Sequence, residues 1–194
     1  MMSSPEDDAI CPVHGWMSHV FLHEAAHAVA AIDRDIEFRH VTITTPAGWT
    51  KDHPDGIALG GLYLDPPASR WVESQPLKAY EMVLAGSLAE REALGHWLPE
   101  GYAGDLRIFR LGAGLLEATA QEALEQLLGK SIRDVIESVK NWIVAEYRRI
   151  RVVVEALAGV SSGTQPTRLD YASGPWSLSY AQACAQLARK GKPE

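Results

Sequence analysis

The chain is short of cysteine and of long apolar runs. Two cysteines, Cys11 and Cys184, lie far apart among 194 residues and in no ligand-spaced pair, so neither a disulfide framework nor a zinc knuckle is indicated. No uninterrupted apolar stretch reaches the roughly 18 to 20 residues that a membrane helix needs. Basic residues are outnumbered, 18 against 25 acidic, and the net charge of −7 disfavours phosphate backbones and anionic membranes as partners. Residues 1 to 8 have neither the basic start nor the apolar core of a signal peptide. Internal repeats and low-complexity tracts are also missing. These absences point to a cytoplasmic protein with no nucleic-acid partner and no membrane span.

What remains is ordinary globular material. Hydrophobic residues make up 46% and charged residues 22%, and 194 residues suffice for one domain with a core of its own. The expected class is α+β and predominantly helical. Residues 1 to 15, with Pro5, Pro12 and Gly15, read as a loose tail, residues 16 to 160 as the main domain, and residues 161 to 194 as an extension with a short helix over 177 to 190. A first helix is expected from Ser18, as its cap, to Ile32. Strands are expected at Arg39 to Thr45, from its β-branched alternation, and at Ile57 to Leu64, closed by Pro66 and Pro67.

A second helix spans Pro76 to Leu94, with Leu77, Tyr80, Leu84 and Leu88 on one stripe and Gly95 as its stop. Gly101 to Asp105 reads as a glycine-bearing loop before another helix start at Leu106. Helical periodicity returns from Leu115 to Leu128. From Ser131 to Leu157 runs a long amphipathic helix whose apolar face includes Val135, Val139, Ile143, Tyr147, Ile150 and Val154. Its basic cluster, Arg148, Arg149 and Arg151, reads as a solvated face.

Within the first helix stands His23-Glu24-Ala25-Ala26-His27. Positions i and i+4 share one helix face, so the two imidazoles can converge on one metal ion with Glu24 beside them, the core of a zinc peptidase site. Such a site needs a third protein ligand and an open fourth position. Asp33 stands where metzincins place their third ligand, but Ala30 occupies the position of the glycine that turns that chain back. Glu90 or Glu92 could serve from the second helix in the manner of thermolysin. Asp105 could serve from its glycine-flanked stretch. Residue types alone leave these three open.

Four stretches, in order, resemble the peptidase domain of the FtsH-type ATP-dependent zinc metalloproteases over roughly residues 18 to 158. His23-Glu-Ala-Ala-His-Ala28 is similar to that family's His-Glu-Ala-Gly-His-Ala. Val41-Thr-Ile43 with Ala58-Leu-Gly-Gly61 resembles its Val-Thr-Ile and Ala-Leu-Gly strands. Leu84 to Gly95 resembles its Gly-Arg-Ala-Ala-Glu-Glu helix, and Gly104-Asp105-Leu106 its Ser/Asn-Asp-Leu. The resemblance implies a zincin-like fold with a small sheet and a helical bundle, and Zn2+ on His23, His27 and Asp105. It further implies Glu24 as general base and Glu90 as the residue that orients a ligating imidazole. Ala26 replaces the family's glycine, Ser87-Leu88 replaces Arg-Ala, and no Ala-Thr pair follows Asp105-Leu106 at the family's spacing. No Gly-x-x-x-x-Gly-Lys-Ser/Thr loop occurs either, since Leu124 stands where its first glycine would precede Gly129-Lys130-Ser131.

The expected activity is hydrolysis of peptide bonds in flexible polypeptides, or in proteins delivered by a separate ATPase or adaptor. Leu59, Gly60 and Gly61 are expected on the strand that pairs with an extended substrate. Two alternatives are a zinc-binding regulatory module without proteolytic activity and a zinc hydrolase for small molecules. A smaller expectation is that Cys11-Pro-Val-His14 folds back to cap the metal with a thiolate.

Overall fold

The computed structural model describes residues 14–43, 60–115, 121–159 and 176–190. In these residues seven helices and one small sheet follow in the order α1 (Gly15–Asp33), β1 (Phe38–Ile43), β2 (Gly60–Leu64), α2 (Ala68–Ser74), α3 (Pro76–Leu94), α4 (Pro99–Gly112), α5 (Gln121–Leu128), α6 (Ile132–Ala158), β3 (Trp176–Ser179) and α7 (Tyr180–Lys190). The α+β, mainly helical character expected from the sequence holds. No helix among the described residues is long and apolar enough to cross a membrane.

Two helices form the centre. Along α1, Phe21, Ala25, Ala26, Ala28, Val29, Ala30 and Ala31 have no solvent contact. Their small side chains bring the neighbouring backbones close, and α3 and α6 both pack against α1. On α3 the expected stripe of Tyr80, Leu84 and Leu88 is buried, but so are Val83, Ala85, Gly86, Ser87, Ala89 and Glu90. That helix touches α1, α2, α4, α5 and α6, and so buries nearly its whole circumference where a surface helix would bury one face. Arg34, just past α1, fastens this centre: its Nε donates to Glu81 on α3 at 2.9 Å and its guanidinium lies 4.8 Å from the ring of Trp142 on α6.

The helix limits follow from local chemistry, with two corrections. Ser131 caps α6, its hydroxyl oxygen accepting from the Asp134 amide at 3.1 Å, and Gly95 ends α3 in the left-handed region. Ser18 is not the cap of α1. The helix begins a turn earlier, at Gly15, with His14 in the capping position, and the Ser18 hydroxyl donates to the His14 carbonyl at 2.9 Å.

The second correction concerns Gly101 to Asp105, which belong to α4 and not to a loop. Glycine costs roughly 1 kcal/mol against alanine inside a helix, which is why the stretch reads as irregular. Here Pro99 at the helix start fixes φ for the first turn, and Phe109 is buried with Tyr102 and Leu106 packed against the core. The packing overrides the local preference.

The sheet has the order β2-β1-β3 with both pairings antiparallel. Phe38, Val41 and Ile43 are buried, and the alternation slips at Arg39, where a register shift leaves that residue exposed. Of the strand expected at Ile57 to Leu64, Gly60 to Leu64 is seen, and residues 57 to 59 lie outside the described residues, as do Thr44 and Thr45. Two elements, the seven-residue α2 and the four-residue β3, carry too little pattern to be read from sequence, and so does the placement of β3 beside β1. The helix expected over 177 to 190 is α7, starting at Tyr180.

Candidate metal centre

Four elements meet at one point. α1 presents His23 and His27 from successive turns, α4 presents Asp105, α3 runs across both imidazoles, and β2 begins against Glu24. His23 Nε2 lies 2.9 Å from His27 Nε2, and Asp105 Oδ2 lies 2.8 Å from the former and 3.0 Å from the latter. The three atoms form a group that could hold a metal ion.

The outer ring nitrogens decide what these atoms are. His23 Nδ1 lies 2.5 Å from Glu90 Oε1, and His27 Nδ1 lies 2.7 Å from the Met82 carbonyl oxygen. A carbonyl and an ionised carboxylate can only accept, so each Nδ1 carries the proton and each Nε2 of the neutral ring presents a lone pair. Asp105 adds a carboxylate oxygen. Three acceptors at 2.8 to 3.0 Å with no hydrogen to share repel one another unless a cation or an extra proton sits among them. Nitrogen and oxygen ligands about 2.0 to 2.1 Å from a tetrahedral ion stand about 3.3 Å apart, so a metal needs an opening of only a few tenths of an ångström.

Burial and neighbouring charges pull the titrating groups in opposite directions. Burial opposes a charge on His23, yet hydrogen bonds donated to Asp105 and Glu90 outweigh it and raise the imidazole well above its usual range. Burial likewise opposes the Asp105 carboxylate, but His27 and His23 beside it hold its pKa far below normal. Glu90, despite burial, is held low by hydrogen bonds to His19 and His23 and by the Leu98 amide. Without a metal, a proton on His23 supplies the positive charge.

Glu24 differs from its neighbours. Burial pushes its carboxyl up to about 7, with His23 and His27 pulling only partly the other way. Among the described residues its buried Oε2 has no hydrogen-bond partner. A carboxylate poised near neutrality and not committed to a neighbour is free to take and return a proton.

Close approach is made possible by two glycines. A Cβ on Gly86 would lie 2.7 Å from the His23 and His27 Nε2 atoms, and one on Gly60 would lie 2.6 Å from Glu24 Cγ. Any side chain at Gly86 would displace the imidazoles, and any at Gly60 would displace the Glu24 side chain.

The expected residues sort cleanly. His23, Glu24, His27 and Asp105 come together, and Glu90 meets His23 at the nitrogen that faces away from Asp105, as an orienting partner does. Glu92 is exposed on α3. Asp33 is engaged elsewhere: Arg149 approaches it at 2.7 Å and the Trp142 indole donates to it at 3.0 Å. Leu59 and Cys11 lie outside the described residues, and His14 lies with His19 and His96 instead of at this centre.

Two contributors were not anticipated. Gly86 sits in a helix where only the fold reveals what it touches. His19 donates from Nδ1 to Glu90 Oε2 at 2.6 Å, and the spacing His19-x-x-x-His23-x-x-x-His27 is the sequence signal that could have placed it on the same face. No protein-family model matches the chain, and no curated protein matches it.

Two outcomes check this centre. Asp105→Ala should lower metal affinity by more than the roughly 10- to 100-fold that loss of an outer hydrogen-bond partner costs, whereas Asp33→Ala should leave metal content unchanged. Metal analysis of both variants decides; full occupancy in Asp105→Ala contradicts the assignment. Because His23 titrates high, it is protonated near pH 7 without metal, and a metal ion must displace that proton. Affinity should therefore rise with pH across the neutral range. Calorimetry in two buffers of different ionisation enthalpy should register proton release, and identical heats would contradict it.

Proposed function

We propose that this chain is a zinc-dependent metallopeptidase. The observation that carries the proposal is the convergence of two imidazole nitrogens and a carboxylate oxygen beside a buried, uncommitted glutamate. Two nitrogens and one oxygen form a borderline donor set that suits Zn2+ better than Mg2+ or Ca2+, which prefer all-oxygen cages. The resemblance to the FtsH-type peptidase domain supports the same ligand set, and in this reading the fold is of the zincin kind.

His23, His27 and Asp105 would hold the ion. When bound, zinc supplies the Lewis acidity that makes water nucleophilic near neutral pH and steadies negative charge on an attacked carbonyl oxygen. Glu24 takes the proton from the attacking water and passes it to the leaving amine nitrogen as the peptide bond breaks. Glu90 and the Met82 carbonyl keep the two rings from turning, so that the lone pairs stay aimed at one point.

The substrate's place follows from the sheet. Among the described residues β2 is an edge strand, and it starts against Glu24, so an extended polypeptide can add to it by main-chain hydrogen bonds, with Gly60 and Gly61 nearest the site. Leu59, expected on the same edge, precedes the described part of the strand. A peptide must be extended to pair in this way, so flexible segments are the substrates, and folded proteins require a separate ATPase or adaptor to deliver them. These residues contain no nucleotide-binding loop of their own.

Glu24→Gln should retain zinc and lose hydrolysis of unstructured peptides by roughly 100- to 10,000-fold, the usual contribution of a general base. The comparison is made on zinc-loaded protein against a broad peptide library. Cleavage by the variant at the native rate, or no cleavage by the native chain, contradicts the proposal.

A further inference from the structure

A second group of nitrogen ligands lies one turn before His23, on the other side of Glu90. His14 at the start of α1, His19 in its second turn and His96 just after α3 each place a ring nitrogen within 4.8 Å of the others'. The ring centroids stand 5.9 Å apart for His14 and His19, 5.3 Å for His14 and His96, and 4.7 Å for His19 and His96. Two distant segments of chain thus contribute three imidazoles to one spot.

The outer nitrogens of two of these rings are already held. His19 Nδ1–H donates to Glu90 Oε2 at 2.6 Å, and His96 Nδ1–H donates to the Leu94 carbonyl at 3.2 Å. In both rings the lone pair is therefore on Nε2, the arrangement by which carboxylates and carbonyls orient metal-ligating histidines.

We propose that His14, His19 and His96 hold a second divalent transition-metal ion, separate from the one at His23, His27 and Asp105. Three neutral imidazoles suit zinc, nickel or copper and not the hard cations magnesium or calcium. Ligation requires the three nitrogens to close from within 4.8 Å to about 3.3 Å. His14 precedes α1 and His96 lies in the connection from α3 to α4, so neither sits in the middle of a helix.

The ion would tie the beginning of α1 to the α3–α4 connection, next to the helix that carries Asp105. Glu90 links the two centres, since one of its oxygens accepts from His19 and the other from His23. One buried carboxylate thus orients a ligand in each. The second centre does not depend on peptidase activity.

Metal-free protein titrated with Zn2+ and desalted should retain two ions per native chain. His14→Ala/His96→Ala should retain one, and His23→Ala/His27→Ala should also retain one, at the three-histidine group. Saturation of the native chain at one ion, or retention of two by His14→Ala/His96→Ala, would overturn the proposal. A measurement on the native chain guards against a misfolded variant. The ring 15N resonances of His14, His19 and His96 should shift as two equivalents of Zn2+ are added, and unmoved resonances would overturn it equally.

Discussion

Three electron-pair donors aimed at one another repel unless a metal ion or an added proton sits among them. His23, His27 and Asp105 are in that position. Each outer ring nitrogen is committed to an acceptor, which removes the tautomeric escape by which a histidine pair could hydrogen-bond to itself. The requirement for positive charge is thus built into the hydrogen bonds behind these three side chains as much as into the side chains themselves. Glu90 does most of this, because its buried carboxylate accepts from two rings and from the Leu98 amide.

Much of the fold follows from making that point reachable. A helix bearing two ligands must be crossed closely by the helix that orients them, and closeness requires small residues. Ala25, Ala26, Ala28 and Ala30 on α1 and Ala85, Gly86 and Ala89 on α3 supply them. The cost is a core with few large side chains at its centre. Phe21, Phe109, Ile143 and Ile150 fill it from around the site, and the Arg34–Glu81 pair and the Arg34–Trp142 stack close one end. Burial then acts differently on two carboxylates in the same pocket. Asp105, touching both imidazoles, stays ionised, while Glu24, with an oxygen that none of the described residues satisfies, has its pKa raised to about 7.

The histidine pair, its glutamate and the long helices were legible because each rests on a repeating or local pattern: i and i+4 on one face, apolar residues every three or four positions, a glycine stop. Asp105 was reachable from residue types only as one of several carboxylates, and the resemblance to a known peptidase domain singled it out. What singles it out physically is that α4 brings its carboxylate to the imidazoles of α1, a contact between residues 78 positions apart that no local pattern encodes. The same limit hid Gly86, whose need for a missing side chain depends on two rings from another helix. It also made the Gly101 to Asp105 helix look like a loop. There the sequence states a local preference truthfully, and packing of Phe109, Tyr102 and Leu106 overrules it. The strand β3 failed to register for a simpler reason: four residues are too few to show a period.

The central claim is that a metal ion belongs between His23, His27 and Asp105. Crystals of zinc-loaded protein, with diffraction recorded on both sides of the zinc absorption edge, test it most directly. The account requires an anomalous peak about 2.0 to 2.2 Å from both Nε2 atoms and from the Asp105 carboxylate. No peak at that point, in crystals shown to contain zinc, would contradict it.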